Sequence, residues 1–187
     1  MKYTVSSLMM AASVLALSAN ANAAEYDFKP YVGLDYNYTY ADADEHTPKY
    51  NSLSVNLGTE YNQYFGTELF YQYSDEAKNH DYTIENKTSF QAYGLDLMGY
   101  LPLGCDQEYS LIGTVGIGEY TFDKEFRGLY SPSDYDDHGI GYRFGGGLQY
   151  KIDDKFSVRG LVRYVNLNGV DDYDDMWEYT AGIKYNF

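Results

Sequence analysis

One cysteine in 187 residues excludes a disulfide framework within the chain, and a cysteine-rich metal cluster with it. Basic residues are scarce too: 13 Lys and Arg stand against 28 Asp and Glu, a formal charge of −15. That balance excludes nucleic acid as a partner, because phosphate contacts need Lys and Arg. There are only 4 prolines, and the 18 glycines follow no three-residue period, so the chain is not collagen-like. Wholesale disorder is excluded by 24 Tyr and 9 Phe. No stretch reaches 18 consecutive apolar residues, so no helical membrane span is expected. The mean hydropathy is −0.51 although 44% of residues are hydrophobic. Both hold because Tyr counts as hydrophobic yet carries a hydroxyl.

The N-terminus, residues 1–23, reads as a signal peptide. Lys2 supplies the positive start, Leu8 to Leu17 a short apolar core, and Ala21-Asn22-Ala23 a small-x-small cleavage site. The domain that remains is expected over 24–187. It is exported, and is either soluble outside the cytoplasm or a membrane barrel.

The dominant pattern along 24–187 has period two, the signature of strands whose side chains alternate between faces. In the first run Val32, Leu34, Tyr36, Tyr38 and Tyr40 oppose Gly33, Asp35, Asn37 and Thr39. The same alternation recurs in seven further runs, centred near Val55, Leu69, Leu95, Val115, Phe144, Val162 and Ala181. Short turns fall near Asn62, Gly104 and Asp153. Segments 41–50, 75–87, 123–138 and 169–175 are long and polar. In an up-and-down sheet the long connections gather at one end and the short turns at the other, the layout of an outer-membrane barrel. The expectation is an all-β fold: an eight-stranded antiparallel up-and-down transmembrane β-barrel.

One face of every run is aliphatic and aromatic, and the other is small and polar. Gly33, Gly58, Gly66, Gly94, Gly116, Gly118, Gly141, Gly145, Gly147 and Gly182 all fall on the second face. A narrow eight-stranded lumen needs such small residues, so the apolar face is expected to meet lipid. Tyr at both ends of the apolar stripes suits aromatic girdles. The inward charges are Asp35, Glu60, Glu68, Asp96 and Glu178 against Arg143, Arg159, Arg163 and Lys184. Ionised groups in a tight interior need partners. A paired network plugging the barrel is expected, with Arg163 in reach of Asp35, Glu68 or Asp96. The alternative is an ion path through a narrow passive channel.

On these residues the chain resembles the eight-stranded outer-membrane barrel family of Gram-negative bacteria, which includes the outer membrane protein A barrel, outer membrane protein X and the opacity proteins. The resemblance covers 24–187. The C-terminal alternation of Tyr179, Ile183, Tyr185 and a terminal Phe187 resembles the signal by which assembly machinery recognises such barrels. The resemblance implies membrane stabilisation, adhesion, host interaction or slow solute passage, with no shared catalytic site and no cofactor or metal. The chain lacks the peptidoglycan-binding domain of outer membrane protein A, so tethering is not implied. The expected location is the outer membrane. The expected form is a monomer contacting outer-membrane lipids and lipopolysaccharide, the barrel assembly machinery, and a partner reached through acidic loops.

Other features carry less. His46, His80 and His138 fall in the long segments. Ser131, Ser133 and Asp134 lie near His138, so a lipid-modifying barrel enzyme with a Ser–His–Asp arrangement is a further alternative. Solvated histidines are the default. Asp171, Asp172, Asp174 and Asp175 form an acidic run, as do Asp134, Asp136 and Asp137, and neither has the spacing of a calcium loop. The four long segments together hold 16 acidic and 5 basic residues. Gly141 to Gly147 lacks the following helix of a dinucleotide loop. Cys105 falls in a short turn as an incidental thiol. A soluble barrel with a lipophilic ligand inside remains an alternative, and it requires an apolar interior.

Overall fold

The computed structural model describes residues 28–42, 49–75, 77–81, 84–104, 107–127, 133–169 and 175–187. The signal peptide, His46, Cys105, Ser131 and the acidic run 171–174 lie outside them. Nine segments are strands: β1 (Lys29–Asp42), β2 (Lys49–Glu60), β3 (Phe65–Ser74), β4 (Ala77–Asp81), β5 (Ile84–Leu103), β6 (Tyr109–Arg127), β7 (Ser133–Lys151), β8 (Phe156–Asn168) and β9 (Asp175–Asn186). All pairings are antiparallel. β3 pairs with the lower part of β5 and β4 with its upper part, so these two form one stave. The result is a barrel of eight staves. It closes where β1 meets β9, from Tyr31–Asn186 to Asp42–Asp175, and where β3 meets β5. Closure leaves no sheet edge in the wall, which a membrane environment demands of any strand-built span.

Alternation sets the two faces. Leu34, Leu53, Leu97, Val115, Phe144, Leu148 and Ile183 point outward and lie about half exposed, Leu97 reaching 58%. Asp35, Asn56, Glu68, Arg143, Arg163 and Lys184 point inward and are buried. A soluble barrel around a lipophilic ligand needs the reverse, so that alternative is overturned. Glu119, at the end of its outward stripe, also faces out.

The short turns are built by side-chain capping. Asn62 Oδ1 accepts the backbone N–H groups of Tyr64 and Phe65 at 2.7 and 2.9 Å. Asp153 Oδ1 does the same for Lys155 and Phe156 at 2.8 and 2.7 Å. Gly104 turns the chain between β5 and β6 at φ 76°, which favours glycine.

The opposite end departs from expectation. Segments 75–87 and 123–138, read as long loops, are mostly paired strand. β4 and the start of β5 form a hairpin from Ala77–Thr88 to Asp81–Ile84. β6 and β7 stay in register up to Phe126–Ser133. His80 and His138 therefore sit in strands, not loops. The physical reason is that a ladder started in the barrel wall propagates at little cost.

Candidate functional site

The lumen gathers all nine charged residues that the alternation assigned to it. In the ring of eight staves β8 stands opposite β3, and Arg159 on β8 spans the gap. Its Nη1 lies 2.6 Å from Glu68 Oε2 and its Nη2 2.9 Å from Glu68 Oε1. The same guanidinium meets Asp35 on β1, Nη2 to Oδ2 at 2.6 Å and Nε to Oδ1 at 3.1 Å. The planar fork of Arg suits two carboxylates at once. Tyr31 Oη donates to Glu68 at 2.8 Å, and Asn56 Nδ2 donates to Asp35 at 2.8 Å. Arg159 also explains its own reach through register. It sits opposite Gly182 on β9, which sits opposite Asp35 on β1. With no side chain between them, Asp35 lies across Gly182.

A second cluster centres on Glu178 of β9. Arg163 Nη1 donates to its Oε1 at 2.8 Å, Arg143 Nη2 to the same oxygen at 3.1 Å, and Gln72 Nε2 to Oε2 at 2.7 Å. Arg163 also donates to Thr180 Oγ1 at 3.0 Å. The expected partners of Arg163 are thereby corrected. Asp35 and Glu68 belong to Arg159, because Arg163 stands directly opposite Glu178 in the β8–β9 ladder. Arg143 lies over the Phe70 ring, 3.7 Å from its centroid, and 3.7 Å from Asp96 Oδ2. In a third cluster Lys184 pairs with Glu60 and lies over the Tyr31 ring at 4.2 Å.

The lumen is small and polar only through its middle. Toward the long-hairpin end it is capped by Tyr50, Phe70, Phe90, Tyr120, Phe122, Val165, Leu167 and Met176, all buried together. Met98, Tyr100, Ile112 and Leu161 form a second apolar cluster. Most of these were not assigned to the interior from the sequence, since they lie at or beyond the ends of the clear runs. The signal was present. Continuing the inward phase of β6 past Gly118 gives Tyr120 and Phe122. Tyr31 is found the same way, two residues before Gly33.

The C-terminal residues lie on the outer face, from Tyr179 partway along β9 to Phe187 at the turn end of the barrel. Tyr179 and Ile183 are outward on β9, Tyr185 packs edge-on against Phe187 at 5.3 Å, and the Phe187 N–H donates to Pro30 O at 3.0 Å. Phe187 is 76% exposed. His138 Nδ1 lies 3.0 Å from Thr121 Oγ1 across the β6–β7 ladder. Asn37 is inside the lumen and donates to Ser54 at 2.5 Å.

The sequence matches the outer membrane protein beta-barrel domain family over residues 9–187. A comparison with curated proteins found no match. Among solved structures, Neisserial surface protein A superposes with a TM-score of 0.67 at 15% identity, covering 84% of this chain and 97% of that one. Ail, the attachment invasion locus protein of Yersinia pestis, gives 0.59 at 16% identity, covering 86% and 99%. OprG from Pseudomonas aeruginosa gives 0.55 at 15% identity, covering 85% and 96%. Identities this low show a shared fold.

Proposed function

Because the chain belongs to the outer membrane protein beta-barrel family, we propose that it is a closed barrel of the outer membrane. Its role on this reading is structural or adhesion-like and is exercised at the cell surface, not through the lumen. The observation that carries this reading is the Arg159 brace, whose two hydrogen bonds to Glu68 run from one wall of the barrel to the opposite one. The Glu178 cluster and the buried aromatic rings toward the long-hairpin end support the same reading. Export through a cleaved signal peptide, folding by the barrel assembly machinery through Tyr179–Phe187, and a monomeric state complete the proposal.

The surface partner is argued from charge. Ail has been solved in complex with the heparin analogue sucrose octasulfate. The four long segments of this chain carry 16 acidic and 5 basic residues, a field that repels such a polyanion. A basic protein surface fits it better.

A narrow passive channel is the second reading. It is favoured by the Asp96–Arg143 pair, which at 3.7 Å is the loosest in the lumen. Planar-bilayer recording separates the two. The closed reading expects no resolved unitary conductance from wild type and discrete openings from Arg159→Ala. Steady openings from wild type, unchanged in Arg159→Ala, would replace it with the channel.

A further inference from the structure

Two carboxylates of the lumen sit in matching seats and are treated differently. Asp35 of β1 lies opposite Gly182 of β9, which lies opposite Arg159 of β8. Asp96 of β5 lies opposite Gly116 of β6, which lies opposite Arg143 of β7. Each carboxylate crosses bare glycine backbone toward an arginine two staves away. Asp35 receives hydrogen bonds from Arg159 and Asn56 on both of its oxygens. Neither oxygen of Asp96 accepts one from any described residue, although the side chain is wholly buried. Arg143 is committed elsewhere: its Nη2 donates to Glu178 at 3.1 Å, and its guanidinium lies over the Phe70 ring. Its Nη1 stops 3.7 Å from Asp96 Oδ2, beyond hydrogen-bond length.

The other neighbours of Asp96 add to its isolation. Glu68 stands directly opposite it in the β3–β5 ladder, also inward and wholly buried. Like charges directly opposite one another repel. β6 brings Gly116, Thr114 and the phenol of Tyr120, none of them charged. From β8 and β9 come Arg163 and Glu178, which are paired with each other at 2.8 Å. Among the described side chains of the lumen, Asp35, Glu60, Glu68, Asp96 and Glu178 face Arg143, Arg159, Arg163 and Lys184, so one negative charge is in excess. Glu60 belongs to Lys184, Asp35 and Glu68 to Arg159, and Glu178 to Arg163 and Arg143. Asp96 is the carboxylate left over. A buried carboxylate without a partner is costly, and it escapes the cost by taking a proton.

We propose that Asp96 is the proton-binding site of the lumen: its carboxyl takes a proton reversibly from solvent, and that proton stands in for the missing cation. With Asp96 neutral, the four remaining carboxylates meet four cations. Neutralisation also ends the repulsion of Glu68, which holds Arg159 from the opposite wall. Release of the proton restores a negative charge beside Glu68 and weakens that brace. The site thereby links proton concentration to the strength of the plug. The inference rests on the closed-lumen reading, since a water-filled lumen would solvate Asp96.

Infrared spectra of protein refolded in lipid vesicles at neutral pH read the proton directly. The expected result is a C=O stretch of a protonated carboxyl that is lost in Asp96→Asn. Carbon-13 placed in the aspartate carboxyls of wild type shifts that band, and carbon-13 in the glutamate carboxyls does not, a result that needs no variant to fold. Raising the pH removes the band reversibly. Over the same range wild type falls below Asp96→Asn in resistance to urea, because the amide has no charge to regain. A band that moves with the glutamate label, or survives in Asp96→Asn, puts the proton on another group and overturns the assignment. Absence of the band in wild type overturns the proton itself. Planar-bilayer recording of the same preparation then separates the two readings. Without unitary conductance the closed barrel stands and only the proton site falls, whereas with steady openings both fall.

Discussion

Two glycines on neighbouring strands show how much the meaning of a residue depends on its face. Gly147 of β7 points inward, and a methyl group there would lie 1.9 Å from the Gly160 carbonyl oxygen and 2.8 Å from Leu161 Cα. Both obstacles are backbone in a closed ladder and cannot step aside. Gly113 of β6 points outward, and a methyl group there meets nothing within 4 Å. Gly147→Ala is therefore expected to destabilise by about 1–3 kcal/mol, the cost of forcing an atom into a packed interior. Gly113→Ala is expected to stabilise by about 0.5–1 kcal/mol, because glycine within a strand gives up more chain entropy on folding than alanine. Urea titration of both variants in lipid vesicles checks the pair. Opposite signs are required, and a loss at Gly113 would mean that something outside the chain occupies that face. Other inward glycines act as seats. At Gly182 and Gly116 a methyl group would fall 1.7 and 1.8 Å from Oδ1 of Asp35 and Asp96 respectively, so bare backbone is what lets these carboxylates lie across the wall.

Elements at the two ends of the barrel obey different rules. At the turn end, Asn62 and Asp153 tie off their connections within a few residues through side-chain acceptors. At the other end β4, β5, β6 and β7 run on as a paired sheet, β5–β6 to Glu85–Arg127 and β6–β7 to Phe126–Ser133. A peptide tag inserted at Asp136 or Asp172 should bind antibody on intact cells, while one at Asp153 should bind only after the outer membrane is permeabilised. Labelling of Asp153 but not Asp172 on intact cells would invert the topology. The strands and their phase were legible in the sequence, because a half-lipid, half-lumen strand writes its period directly into alternating residues such as Val32 to Tyr40. The hairpin extensions were not, because segments 75–87 and 123–138 carry polar residues at successive positions and lack the alternation that marks a strand. The ion partners were only half legible. That Arg159, Arg163, Glu68 and Glu178 share the lumen follows from phase alone. Which pairs with which depends on strand tilt and on contacts between staves far apart in the chain, and no local pattern encodes either. Arg159 reaches Glu68 across 91 positions of sequence.

For the whole molecule the decisive property is closure. The seam between β1 and β9 joins the first and last strands of the barrel, so every stave has two hydrogen-bonded neighbours. Local fraying at the seam would expose two edges at once, and in a membrane each unpaired backbone group costs several kcal/mol. The interior reinforces this, since the Arg159 side chain is bonded to β1 and β3 while its backbone sits opposite Gly182 of β9 in the ladder. Such a barrel opens as a unit or not at all. Detergent at room temperature, which dissolves lipid but supplies neither the energy to break a closed ladder nor water to its middle, should leave it folded. In gel electrophoresis unboiled protein is expected to run as a compact band and boiled protein as a slower one, with no intermediate species between them. Arg159→Ala should lower the temperature of conversion while keeping it a single step, because the seam remains. Co-migration of boiled and unboiled samples under several refolding conditions would contradict closure. A stable intermediate band would show that the seam and the braced wall unfold separately.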